Sequence, residues 1–149
     1  MEHKAWEHHN INDFFTAYAT AMLQQDTRMM TRFYELPCTM MADGQANVYT
    51  DANKLEGLFN QGIVYYGQLG VREFRPDLRY CAPLNEQYTR AKVIWQHCDA
   101  SGRLLYSCAY EYILVRQKGG HWTMQVVISV DEKKQLENWQ TAQQLSTAE

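Results

Sequence analysis

Residues Tyr88 to Asp131 read YTRAKVIWQHCDASGRLLYSCAYEYILVRQKGGHWTMQVVISVD. β-Branched and aromatic residues fill three runs of this stretch, and the short segments DASG and KGG separate the runs. The pattern predicts three long antiparallel strands joined by tight turns. A sheet of that length must bury at least one face, so other parts of the chain are needed to cover it.

A helix is predicted upstream of these strands. Apolar residues recur at three- and four-residue steps over residues 11–22, which gives the helix one apolar face. Asn10 or Asn12 can cap its first turn, so the helix is expected to begin there. Residues 1–9 are polar and are expected to form a flexible N-terminus.

A second helix and a hairpin are predicted next. The second helix is short, from Thr27 to about Tyr34, and Leu36-Pro37 is expected to end it. The segment CTMMADGQANVYT then indicates a hairpin, because Asp43-Gly44 favours a two-residue turn between two runs that can pair.

The remaining elements frame the long strands. A longer helix is predicted from Asp51, which can cap it, to about Leu69. A strand around residues 71–82 follows, in which Pro76 marks a bulge or an edge position. Residues 132–149 are mostly polar and predict a short terminal helix and a tail.

Composition limits the class of protein. With 149 residues, 46% of them hydrophobic, the chain fits one globular domain, which we place at residues 10–131. The net charge of −3 argues against a nucleic-acid binder, and no apolar run is long enough to span a bilayer. The four cysteines form no CxxC pair and no signal sequence is evident, so we expect reduced thiols, a cytoplasmic location and no metal site.

The element order predicts an α+β domain with helices on one face of a strongly curved antiparallel sheet. Over residues 10–131 this order resembles the nuclear transport factor 2-like superfamily, whose domain is cone-shaped. The resemblance implies three helices on the concave face of the sheet and a short C-terminal helix. It is carried by FFTAYATAMLQQDTRMMTRFYELP, YTDANKLEGLF and YILVRQKGGHWTMQVVISVD.

The superfamily does not share one chemistry. It includes ketosteroid isomerases, dehydratases, cyclases and epoxide hydrolases beside non-catalytic dimeric modules. In ketosteroid isomerase a carboxylate base, a tyrosine and a protonated acid act on a ketone. The resemblance places Tyr18 at the tyrosine and Glu111 near the acid, but the place of the base falls at Ala42, beside Asp43. The catalytic set is therefore incomplete.

Either face of the first two long strands could form the pocket wall. With DASG as the loop, His97 is expected to pair with Leu104 and Trp95 with Tyr106. One face is then bulky and contains Trp95, Tyr106 and Tyr110. The other is smaller and contains Ser107, Ala109 and Glu111. The isomerase register puts the smaller set in the pocket and leaves the tyrosine-rich set for a dimer interface on the convex side.

A single β-bulge would exchange the two sets, and His97 would then line the pocket as a general base near neutral pH. Glu111 could instead form an ion pair with Arg90 or Lys92 across the strands, or lie on an exposed face. The expected ligand-pocket residues are Phe14, Tyr18, Met40, Phe59, Tyr66, Trp122, Met124 and Val126.

Two functions fit this pattern. The first is a non-catalytic module that dimerises through the convex sheet face and binds an apolar small molecule or a protein partner. The second is an isomerase, dehydratase or cyclase that needs no cofactor and acts on an apolar, carbonyl-bearing substrate. Its candidate catalytic residues are Tyr18, Glu111 and His97.

Overall fold

The computed structural model of the chain describes residues 2–147, with side chains from residue 8 onward. Its elements follow one another in an α+β order. They are α1 (Glu2–Leu23), α2 (Thr27–Thr31), β1 (Tyr34–Ala42), β2 (Gln45–Tyr49), α3 (Ala52–Leu69), β3 (Glu73–Pro83), β4 (Tyr88–Cys98), β5 (Leu104–Arg116), β6 (Trp122–Ser129) and α4 (Glu132–Thr147). None of the described helices has the length and apolar character that a membrane span needs.

The six strands form one curved sheet in the order β2-β1-β6-β5-β4-β3. All neighbours are antiparallel except β1 and β6, which run parallel. The three long strands predicted from the sequence are confirmed as β4, β5 and β6. Pro76 lies on the edge strand β3, where a residue without an N–H is tolerated.

The hairpin and the long helix are also confirmed. Asp43 and Gly44 both have positive φ angles, 53° and 77°, as a turn of the primed type requires. Asp51 caps α3 by accepting a hydrogen bond from the backbone N–H of Asn53 at 2.8 Å. Gly70, with φ 87°, ends the helix in the left-handed conformation.

Two boundaries near the N-terminus differ from expectation. The start of α1 at Asn10 or Asn12 was wrong, because the helix begins at Glu2. Asparagine costs only about 0.7 kcal/mol inside a helix, so its presence does not fix a boundary. Leu36-Pro37 does not end α2 but lies within β1, at the point where the pairing with β6 is irregular and the proline interrupts no regular ladder.

The inner face of the sheet is the one that carries Trp95 and His97. In the structure His97 pairs with Tyr106 and Trp95 with Cys108, two residues from the predicted register. The shift arises between His97 and Cys98, where Cys98 pairs directly with Leu104. Because a two-residue shift preserves the facing of side chains, the aromatic set stays together. It lies on the inner face, opposite to the assignment favoured by the isomerase register.

A bulge in β6 corrects a second prediction. Met124 pairs with Leu114 but Val126 pairs with Ile113, which leaves Gln125 as an extra residue. After the bulge it is Val127, paired with Tyr112, that faces inward. Val126 is consequently not a pocket residue.

Candidate active site

A cavity of about 450 Å³ lies between the helices and the inner face of the sheet. Its walls are mainly aromatic and apolar, as in most small-molecule sites. Of the predicted residues, Tyr18, Met40, Phe59, Tyr66 and His97 line it. Further wall residues from the sheet are Trp95, Tyr110, Tyr112 and Val127.

Three other predicted wall residues belong to the packing around the cavity. Phe14 packs edge-on against Phe15 and Phe33. Met124 is fully buried in the core, and Trp122 lies beneath the guanidinium of Arg116. All three are apolar and point inward, but an apolar inward residue can fill a core as easily as line a pocket.

His97 is the one histidine among the described residues of the cavity wall. It is only 2% exposed, and its ring stacks on Tyr106 with centroids 4.2 Å apart and packs edge-on against Phe74 at 5.1 Å. Nε2 lies 3.3 Å from a carboxylate oxygen of Glu132. The aromatic neighbours and this carboxylate together fix the orientation of the imidazole.

The other ring nitrogen of His97 is free. Nδ1 is buried and has no hydrogen-bond partner within the described part of the chain. A buried polar atom without a partner costs free energy, and here the atom belongs to a residue of the cavity wall. If Nε2 carries the proton and donates it to Glu132, Nδ1 keeps a free lone pair.

Glu132 receives more hydrogen bonds than the one from His97. The hydroxyls of Tyr66, at 2.6 Å, Tyr106, at 3.1 Å, and Tyr110 all donate to its carboxylate. Burial by itself would raise the pKa of Glu132, but hydrogen bonds from His97, Tyr110 and Tyr66 outweigh it and lower the pKa to about 2. The carboxylate therefore stays ionised throughout the physiological range.

The role of Glu132 was not predicted from the sequence. The residue was placed at the start of the expected terminal helix, one position beyond the predicted domain end at Asp131, and was given no part in the site. The structure makes it the first residue of α4, where the helix N-terminus favours a negative charge. Asp131 fixes this start, because its side chain accepts a hydrogen bond from the backbone N–H of Ala109 at 2.7 Å. The signal in the sequence that could have indicated it was the acidic pair of Asp131 and Glu132, which follows the last strand.

Tyr18 lies in the cavity wall, as predicted. Its hydroxyl hydrogen-bonds to the hydroxyl of Tyr34, another wall residue. Burial raises the pKa of both phenols well above their usual value, so both remain neutral donors. A second fixed hydroxyl is that of Tyr112, which accepts the indole N–H of Trp95 at 2.7 Å.

Glu111 does not lie in the cavity, which corrects the expectation of a pocket acid. It is on the outer face of the sheet, where Nε and Nη2 of Arg90 each donate to its carboxylate at 3.0 Å. The hydroxyl of Tyr80, followed by Arg90, lowers the pKa of Glu111 through hydrogen bonds. This is the cross-strand ion pair that the sequence offered as an alternative.

One cluster has the residue types of a metal site. Ligand atoms of His97, Cys108 and Glu132 lie within 4.8 Å of one another. Metal binding would require the thiolate of Cys108, and burial raises the pKa of that thiol. It would also displace tyrosine hydroxyls that already donate to Glu132. The arrangement therefore suits proton transfer better than metal coordination.

A model of the family described as NTF2-like protein (DUF6841) matches residues 7–132. The chain belongs to this NTF2-like family. The resemblance to the nuclear transport factor 2-like superfamily and the α+β cone fold are thereby confirmed. The matched segment includes both His97 and Glu132. No curated protein matches the chain in sequence.

Solved structures show the same NTF2-like fold at low sequence identity. An NTF2-like protein of unknown function from Shewanella oneidensis is 10% identical, with 80% of this chain and 95% of that chain covered and a TM-score of 0.64. A ketosteroid isomerase-like protein from Erwinia carotovora is 16% identical, with coverage of 82% and 93% and a TM-score of 0.60. A Catenulispora acidiphila structure in complex with S-DNPA is 12% identical, with coverage of 84% and 94% and a TM-score of 0.61.

Proposed function

We propose that this NTF2-like chain is an acid–base enzyme that moves a proton next to the carbonyl of an apolar small molecule. The observation that carries the proposal is His97, a cavity-lining histidine with one nitrogen held by a largely buried carboxylate and the other unpartnered. Groups of this kind, placed in a cleft with shifted neighbours, are typical of acid–base sites.

The roles follow from the contacts. His97 Nδ1 takes a proton from the carbon next to the carbonyl, and the electron pair of the broken C–H bond moves to the carbonyl oxygen. Glu132 holds Nε2–H and stabilises the imidazolium that forms. The neutral hydroxyls of Tyr18 and Tyr34 supply a hydrogen bond to the enolate oxygen. Return of the proton to a different carbon completes an isomerisation.

The similar structures agree with this proposal at the level of fold. One is described as ketosteroid isomerase-like and another is in complex with S-DNPA. The present chain would perform the proton transfer with a histidine and a carboxylate from α4. The acid predicted at Glu111 has no part in it.

The test is deuterium uptake at the α-carbon of β-tetralone in heavy water, followed by NMR. His97→Gln should slow the enzyme-dependent exchange about 10²- to 10⁴-fold, since a positioned general base contributes that much. His121→Gln is the matched control, because His121 is exposed and lies outside the cavity wall. Equal rates for His97→Gln and the wild type would refute the role of His97.

A second candidate is the non-catalytic dimeric module. It is favoured by the completeness of the Glu132 network, since a carboxylate satisfied by three tyrosines and a histidine can also be purely structural. On this alternative the wild type binds β-tetralone, detected by quenching of the intrinsic tryptophan fluorescence, but does not accelerate its exchange.

A further inference from the structure

Arg72 is the one arginine or lysine that lines the cavity within residues 8–147. Its side chain is exposed, whereas His97 is nearly fully buried. No aspartate or glutamate in the same part of the chain contributes to the cavity wall. The cavity thus combines aromatic walls with a single cation near solvent.

The guanidinium of Arg72 is held in place on one side only. Nη1 donates to the carbonyls of Gly67 at 3.1 Å and Val71 at 3.0 Å, which lie at the C-terminal end of α3. A cation at this end of a helix is favourable in itself. Nε and Nη2 have no partner among the described residues, so one edge of the guanidinium is left to bind an acceptor.

Arg72 lies close to His97 along the edge of the sheet. It directly precedes β3, and Phe74, two residues further on, pairs with His97. Two residues along a strand correspond to about 7 Å. A ligand that contacts Arg72 at the entrance can therefore place a group beside His97 with only one or two rings between them.

We propose that the ligand is an apolar, ring-containing carboxylate whose anionic group binds Arg72 while its rings lie against the aromatic wall next to His97. The inference rests on the proposed function, because it names the substrate class of the same cavity. A carboxylate fits the free edge of a guanidinium through two parallel hydrogen bonds. No aspartate or glutamate of the described residues lines the cavity itself, and the negative charge of Glu132 behind the wall is compensated by hydrogen bonds from three tyrosines and His97.

The test uses β-naphthoate and β-naphthamide, which share ring size and differ in charge, with quenching of the intrinsic tryptophan fluorescence as the readout. The wild type should bind the naphthoate about three- to tenfold more tightly than the amide, as for one partly exposed charged hydrogen bond. Arg72→Gln should abolish this preference, and added salt should weaken it. Arg72→Lys, which keeps the charge, should retain part of it.

Arg28→Gln is the matched control, because Arg28 is exposed on α2 and is absent from the cavity wall. It should leave the preference for the naphthoate unchanged.

Equal binding of the two probes by the wild type, or equal weakening of both by Arg72→Gln, would overturn the inference and leave the proton-transfer proposal intact. If neither probe bound, both the inference and the assignment of the cavity as a small-molecule site would be refuted. Failure of the β-tetralone exchange with a retained naphthoate preference would refute catalysis alone.

Discussion

Glu132 joins the sheet to the last helix through a single carboxylate. Its pKa falls from an ordinary 4.5 to about 2 on folding. A carboxyl group whose pKa is lower in the folded state stabilises the fold above its unfolded pKa, and this contribution is lost as the pH falls towards the folded value. We therefore expect the free energy of unfolding to decrease by about 2–4 kcal/mol between pH 5 and pH 2 on account of this group.

Urea unfolding across that pH range measures the effect. In Glu132→Gln the pH dependence should be flatter, since the titrating group is gone. Glu137→Gln, an exposed residue of the same helix, should keep the wild-type slope. Identical slopes in Glu132→Gln and the wild type would mean that Glu132 is not stabilised in its ionised form.

Glu111, in contrast to Glu132, is expected to contribute little to stability. Its ion pair with Arg90 lies on the outer face, where the side chains of Glu111 and Arg90 are 21% and 49% exposed. Glu111→Gln should cost no more than about 1 kcal/mol of stability, as partly exposed pairs do. Proton exchange of β-tetralone should proceed at the wild-type rate. A large loss of exchange in a folded Glu111→Gln protein would restore the pocket acid that the isomerase resemblance implied.

The sequence indicated which residue types belong to the site better than it indicated where each side chain points. Tyr18 was named because the resemblance to ketosteroid isomerase places it at that enzyme's tyrosine, and His97 because a histidine on the inner face can act as a general base. The facing of Glu111 was not, since one bulge or one residue of register turns a side chain to the opposite face. Glu132 escaped notice because its partners, Tyr66 of α3 and Tyr106 and Tyr110 of β5, come together only in the folded protein.

At the scale of elements, the packing of α4 matters because this helix positions Glu132. Leu136 is 8% exposed and lies one turn after Glu132, on the same side of the helix. Trp139 packs against Tyr106 with ring centroids 5.8 Å apart. Leu136→Ala should lower the free energy of unfolding by about 2–4 kcal/mol through the cavity it leaves.

The comparison variant is Leu145→Ala, whose leucine is 66% exposed. It should change stability by less than about 0.5 kcal/mol. Urea denaturation of both variants provides the measurement. Equal stabilities would indicate that α4 does not pack against the sheet through Leu136.

Most elements were predictable because local signals and tertiary packing agree. Asp43-Gly44 and the pair Asp51 and Gly70 mark a turn and two helix ends by their backbone preferences alone. The start of α1 carried no comparable signal. Pro37 was assigned to a helix end, although a strand also accepts proline where its ladder is interrupted.

At the scale of the whole molecule, the structure changes the argument for a dimer. The tyrosine-rich set faces the cavity, so it is unavailable for an interface. The outer face instead presents partly exposed branched side chains, including Ile94, Ile113 and Ile128, beside the ion pair of Arg90 and Glu111. An apolar patch with a polar rim is the usual composition of a protein interface.

We expect the chain to form a homodimer through this outer face at micromolar concentration. Sedimentation velocity measures the state directly. Ile94→Glu should shift the protein to a monomer, because a carboxylate added to the outer face would have to lose its water in the interface. Val48→Glu, on the exposed edge strand β2, should leave the dimer intact. A monomeric wild type would show that the outer face is a solvated surface.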